Sequence, residues 1–180
     1  MKKELFQEIK IPEGVQVELK ESTLTVKGPE GENKRDFDLG ILEFKKEGDR
    51  IIIGNKKSTK REKKRMKTII AHINNMIKGV QEKFEYTLKI CYSHFPFTVD
   101  VSEKEALIKN FLGEKIPRKT NIPEGVEIKT DKQNITIKSV NKELAGQAAA
   151  NFEKVTKVRG RDRRIFQDGI FLINKAGKEI

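Results

Sequence analysis

The residues whose types and spacing can do chemistry lie late in the chain. Arg159, Arg161, Arg163 and Arg164 fall within six positions, next to Gly160 and just after Lys157. A guanidinium is a planar fork of N–H donors that matches phosphate oxygens and stacks on bases, and glycine lets a backbone approach closely. Four such forks in so short a stretch are unusual for a plain solvated surface and point to RNA. Asp162, among them, and Asp168, four residues beyond Arg164, are the nearby acids, read as N-cap or arginine-orienting groups. Phe166 stacks on an exposed base or pins the tail to the core, and the core reading is preferred. A second basic group, Lys115, Arg118 and Lys119, sits in the turn-rich stretch Gly-Glu-Lys-Ile-Pro-Arg-Lys. Loops of this kind present side chains to partners. A third runs from Lys56 to Lys67, with eight basic residues and one acid. A solvated helix face and a contact with RNA or with the other domain both fit it.

Catalytic and metal-binding sets are not expected. His94 has Ser93 and Asp100 nearby in sequence, but a triad needs a base within reach of both a nucleophile and an orienting acid. A structural hydrogen bond at a strand end is the better account of His94. One cysteine, Cys91, and two histidines, His72 and His94, do not make a zinc site of the usual spacing. Cys91 lies between Ile90 and Tyr92 and reads as a buried strand thiol rather than a reactive one. Gly113-Glu114-Lys115 lacks the upstream glycine of a phosphate-binding loop. Neither a cofactor nor a small-molecule substrate is expected.

Composition fits a polyanion partner. The 180 residues carry 38 Lys and Arg against 27 Asp and Glu, a formal net charge of +11. Such a field draws nucleic acid. A membrane partner is not expected: the second residue is lysine rather than a myristoylation glycine, the end has no cysteine box, and no apolar run approaches the ~20 residues of a span. Residues 1–10 start basic without an apolar stretch, so a cytoplasmic protein is expected. No recognition helix, zinc finger or basic zipper is evident, which suggests binding by shape and phosphate contacts.

These groups need elements to hold them. The pentapeptide Ile-Pro-Glu-Gly-Val occurs at 11–15 and again at 122–126, 111 residues later, and the matched alternation continues without a gap from Val17 and Ile128 to Lys27 and Lys138. This predicts a duplicated unit. Val15, Val17 and Leu19, then Leu24 and Val26, alternate as half-buried strands do, with a polar turn between. Further strands are predicted over Phe37–Phe44 and Arg50–Ile53 in the first copy. Each copy is expected to close with a helix. The first carries Met66, Ile69, Ile70, Ile73, Met76, Ile77 and Val80 at helical spacing, capped by Ser58 or Thr59. The second carries Leu144, Ala148, Phe152 and Val155, capped by Asn141. Strands are also predicted over Phe84–Tyr92, Phe97–Val101 and Ala106–Phe111. The fold class is α+β, with two tandem domains at 1–81 and 82–180, each a small, mostly antiparallel sheet packed on one main helix.

The motifs His-Ile-Asn-Asn-Met-Ile-Lys-Gly-Val (72–80), Tyr-Ser-His-Phe-Pro (92–96), Asn-Phe-Leu-Gly-Glu-Lys (110–115), Leu-Ala-Gly-Gln-Ala-Ala-Ala (144–150) and Arg-Arg-Ile-Phe-Gln-Asp-Gly-Ile (163–170) occur in that order. With the pentapeptide at 11–15 they span nearly the whole chain. In this the sequence resembles the sixth-numbered large-subunit ribosomal protein family, archaeal and eukaryotic branch. The resemblance implies structural binding to large-subunit ribosomal RNA, chiefly through the C-terminal domain. It implies a place near the sarcin–ricin loop and the landing area of translation factors, neighbouring ribosomal proteins as partners, and no enzymatic activity. Carried onto this chain, the motif positions facing RNA are Arg159, Gly160, Arg161, Arg163 and Arg164, with Lys115 and Arg118 second. Lys119 and Lys157 complete the candidate set. Ala148 is assigned to helix packing, while Gly146 and Gln147 are left open between packing and RNA approach.

Overall fold

A computed structural model of the protein describes residues 3–180. The chain divides into two compact units, one ending at Lys83 and one running from Phe84 to Ile180.

The first unit comprises β1 (Lys3–Lys10), β2 (Gln16–Lys20), β3 (Thr23–Gly28), β4 (Gly31–Asp36), β5 (Glu43–Glu47), β6 (Arg50–Ser58) and α1 (Lys60–Gln81). The strands form two antiparallel sheets, β2-β3-β4 and β1-β6-β5. Leu24 and Val26, alternating along β3, are fully buried, as are Ile51 and Ile53 along β6. Each such side chain contributes roughly 1.5–3 kcal/mol by leaving water. Helix α1 lays Met66, Ile69, Ile73, Met76, Ile77 and Val80 onto strands of both sheets. Its start is a capping box: the Thr59 hydroxyl accepts from the Arg61 amide at 3.3 Å, and Glu62 accepts from the Thr59 amide at 2.8 Å. Where β3 meets the end of α1 only glycine fits, because a Cβ on Gly28 would lie 2.7 Å from the Val80 carbonyl oxygen.

The second unit comprises β7 (Phe84–Cys91), β8 (Thr98–Val101), β9 (Glu105–Lys109), a 3₁₀ turn at Phe111–Gly113, β10 (Arg118–Asn121), β11 (Glu127–Asp131), β12 (Asn134–Ser139), α2 (Lys142–Val155), β13 (Gly169–Lys175) and β14 (Lys178–Glu179). Its sheets are β10-β9-β8 and β11-β12-β7-β13-β14, antiparallel throughout. Helix α2 is capped by Asn141, whose side chain accepts from the Glu143 amide at 2.9 Å. It buries Ala145, Ala148, Ala149 and Phe152, while Leu144 and Val155 are half-buried at the margin. The small side chains let the helix sit low on the sheet.

Duplicated α+β units are present, but the expected register is not. The repeated pentapeptide adopts the same turn twice, with Gly14 at φ +83° and Gly125 at φ +79°. Each copy leads into a hairpin, yet the two hairpins occupy different places. The first, β2-β3, pairs onward with β4, whereas the second, β11-β12, pairs onward with β7, the first strand of its unit. Equivalent partners run in chain order: β1-β6-β5 corresponds to β7-β12-β11, β2-β3-β4 to β8-β9-β10, and α1 to α2. Thr98 opens β8 82 residues after Gln16 opens β2, and Lys142 opens α2 82 residues after Lys60 opens α1. The offset of 111 is therefore a likeness of local turn chemistry.

Two further expectations are corrected. Residues 37–42 are not a strand: Phe37 and Leu42 turn inward, Gly40 takes φ +58°, and pairing resumes only at Glu43. The second unit does not close on its helix, since β13 follows α2 and inserts between β7 and β14. Ile170 is buried, Phe171 exposed and Leu172 half-buried there, the alternation of a strand with one covered face.

Candidate nucleic-acid interface

The arginine segment is a loop pinned at both ends. At its start, Thr156 is buried; its hydroxyl donates to the Phe152 carbonyl at 3.0 Å and accepts from the Ile170 amide at 3.0 Å, tying the end of α2 to β13. Val158 is buried two residues on. At the far end Asp168, 2% exposed, accepts from the Ser93 amide at 2.7 Å, the His94 amide at 3.1 Å and His94 Nδ1 at 2.7 Å. Burial works against its charge, but the bonds from the His94 side chain and from the His94 and Ser93 amides outweigh it and hold the carboxyl below the usual aspartate range. Between the anchors, Asp162 builds a turn: its carbonyl accepts from the Phe166 amide at 2.9 Å and its carboxylate from the Arg164 amide at 2.9 Å. Gly160 takes φ +67° with open space where a side chain would stand.

A stack supports the loop from below. The Phe166 ring lies on the His94 imidazole at 4.6 Å and 19°, and the Arg161 guanidinium carbon lies 4.9 Å from the centre of the Phe166 ring. Phe166 thus serves the scaffold, half-buried, as the core reading of it holds. The Ser93 hydroxyl lies 3.1 Å from His94 Nδ1, the same nitrogen that faces Asp168. A nucleophile relay needs the acid and the nucleophile on opposite nitrogens, so this arrangement orients the ring and does not move a proton along it.

The candidate cations fall into separate roles. Arg118 has its guanidinium committed inside the protein. It donates to both Glu114 carboxylate oxygens at 2.8 and 2.5 Å, to the Val155 carbonyl at 2.7 Å and to the Lys157 carbonyl at 3.3 Å, and it lies 4.4 Å over Phe111. The Arg118 hydrogen bond lowers the Glu114 pKa. Arg118 therefore joins the 114–118 segment to the base of the arginine loop. Lys119, next along β10, points to the other face of the strand and is exposed. Arg164 is exposed and paired with Asp162 at 2.7 Å. Lys115, Lys119, Lys157, Arg159 and Arg163 are exposed, with no hydrogen bond or ion pair from their side chains among the described residues. Of these, Lys157 and Arg163 border one cleft of about 550 Å³ between the end of α2 and β13.

Sequence reasoning missed the Asp168–His94 anchor. The signal that could have found it is that the two residues sit in separate motifs, 92–96 and 163–170, each joining a small polar residue to an aromatic. In the Lys56–Lys67 segment, most of the basic residues are exposed along the first turns of α1, while Arg65 is half-buried and paired with Asp38 at 2.9 Å.

The model of the family described as Ribosomal protein L6 matches this chain twice, at residues 11–83 and 95–169. The chain belongs to the ribosomal protein L6 family. Three archaeal relatives, each named large ribosomal subunit protein uL6, match over nearly the full length. The protein of Methanococcus vannielii is 44% identical over 96% of this chain and 94% of its own. That of Methanobrevibacter smithii is 42% identical over 94% and 95%, and that of Methanothrix thermoacetophila 42% over 97% and 99%. The two L6 matches begin 84 residues apart, close to the register of the strand-by-strand correspondence and far from the pentapeptide repeat. The arginine loop and its Asp168 anchor both fall inside the second L6 match.

Proposed function

We propose that the protein is a structural constituent of the large ribosomal subunit that binds large-subunit ribosomal RNA, chiefly through its second unit. On this reading it sits near the sarcin–ricin loop and the translation-factor region, in cytoplasmic ribosomes, beside neighbouring ribosomal proteins. The observation that carries it is a pinned loop with Lys157, Arg159 and Arg163 exposed and unpartnered among the described residues. A charge kept out of internal ion pairs is ready for phosphate oxygens, and a loop fixed before binding loses little entropy on docking. Arg161 and Arg164 are oriented by Phe166 and Asp162, Gly160 bends the chain between Arg159 and Arg161 at φ +67°, and Lys115 and Lys119 extend the basic surface. The role is non-catalytic, supported by the single imidazole nitrogen on which Ser93 and Asp168 converge.

Sedimentation of the tagged protein through a sucrose gradient tests the assignment. Comigration with large subunits, lost on mild ribonuclease treatment, is the expected result. A protein found only in light fractions, unchanged by ribonuclease at low salt, would overturn it in favour of a protein-binding adaptor. The location is tested separately by a cleavage reagent tethered at position 159, with strand scission expected in the sarcin–ricin region.

A further inference from the structure

We infer that the cleft between the end of α2 and β13 takes one unstacked nucleotide of the bound RNA, its base against Phe171 and its phosphate on Lys157 and Arg163. This deepens the RNA-binding reading and rests on it. The cleft, about 550 Å³, lies in the ~300–1,000 Å³ range of small-ligand sites. Its wall includes the Phe171 ring, which is 48% exposed. That ring lies across Gly169, where a Cβ would come within 3.1 Å of it, so glycine lets the ring lie close against the strand. Buried Val158 and half-buried Phe166 add apolar surface. Lys157 and Arg163 border the same space without internal partners among the described residues. Glu153, also lining it, uses one carboxylate oxygen to accept from the Leu172 amide at 3.2 Å. Its other oxygen, without a partner among the described residues, is placed to accept from a base's exocyclic amine.

This combination is specific in kind. An aromatic platform beside two uncommitted cations recognises a base and its phosphate together. A paired helix offers the phosphates but hides the base faces, so phosphate contacts alone do not account for an exposed ring here. The cleft therefore selects a bulged or looped nucleotide rather than a regular stem.

The test uses the full chain and two RNA hairpins of equal phosphate number, one with a single bulged 2-aminopurine and one fully paired. The bulged hairpin is expected to bind roughly tenfold tighter, with its fluorescence quenched by stacking. Phe171→Leu, which keeps an apolar side chain on the exposed face of β13, is expected to abolish that preference and leave affinity for the paired hairpin unchanged. Equal, salt-dependent binding of both hairpins with unchanged fluorescence would overturn the inference and leave the RNA-binding reading standing. A preference that survives Phe171→Leu would overturn it too. If neither hairpin bound at low salt, the RNA-binding reading would fall and the inference with it.

Discussion

Arg118 and Arg163 are both arginines near the same loop, and they should fail in different ways. Arg118→Ala removes two bonds to carbonyls, the fork on Glu114 and the packing over Phe111. A hydrogen bond from a charged donor contributes roughly 1.5–3 kcal/mol, less where water takes its place. The partly exposed Glu114 pair adds only about 0.5 kcal/mol after screening, and the cation–aromatic interaction about 0.5–1 kcal/mol. A destabilisation of about 2–3 kcal/mol is expected, the 3.3 Å bond counting for little. Both tyrosines of the chain, Tyr86 and Tyr92, lie in the second unit and there is no tryptophan. Tyrosine fluorescence during urea unfolding therefore reports on that unit alone, and its midpoint should fall by about 1 M or more. RNA affinity should drop because the loop is loosened, but the slope of log K against log salt should stay as in wild type. Arg163→Ala should do the reverse: stability within about 0.5 kcal/mol of wild type and a slope shallower by about 0.9 for each phosphate no longer neutralised. An Arg118→Ala protein of undiminished stability with a shallower slope would refute the division of roles.

Gly146 lies within α2, and a Cβ there would meet the Tyr86 hydroxyl at 3.6 Å, an ordinary van der Waals distance; Gly146→Ala should stabilise the second unit by about 0.5–1 kcal/mol in the same urea assay. Thr59→Ala removes the capping box of α1 and should cost about 1 kcal/mol, read by circular dichroism at the helix band during unfolding. The Asp168 carboxyl lies below its ordinary value when folded, so the unfolded chain binds its proton first as pH falls. Its stabilisation is complete above that ordinary value, near pH 4, and is lost as pH drops through the lower folded value. Asp168→Asn should flatten that acid limb in a series of unfolding curves from pH 6 to 2.5.

The sequence was readable where one face of an element is covered by its own unit. The α1 stripe from Met66 to Val80 and the alternation of Leu24 and Val26 need only local period and burial, and both are where they were expected. Strand β4, Gly-Glu-Asn-Lys-Arg-Asp, was not readable, because no apolar residue marks it and its pairing with β3 does the work. Phe37 misled in the opposite sense, as an apolar residue plugging the core from a loop. The repeat at 11 and 122 was real as turn chemistry and wrong as register, since a pentapeptide specifies a bend while the partners of a hairpin are chosen by the whole sheet. Within the site, the arginine cluster was visible from charge alone. That Arg118 is bound to carbonyls of the α2 end, or that Asp168 reaches His94, depends on interactions between residues 37 and 74 positions apart, which spacing along the chain does not encode.

The Asp168–His94 anchor also has a meaning in time. Two segments 74 residues apart must meet before the arginine loop has a shape, and they meet only once β13 has inserted beside β7. Non-local closure of this kind is slow, because its loop entropy is lost before the contact forms. A nascent or partly folded chain already carries its arginines and can cling to any polyanion, but it lacks the fixed outline that tells one RNA surface from another. Selectivity then arrives with β13, so a half-made subunit would be joined by finished copies in preference to unfinished ones.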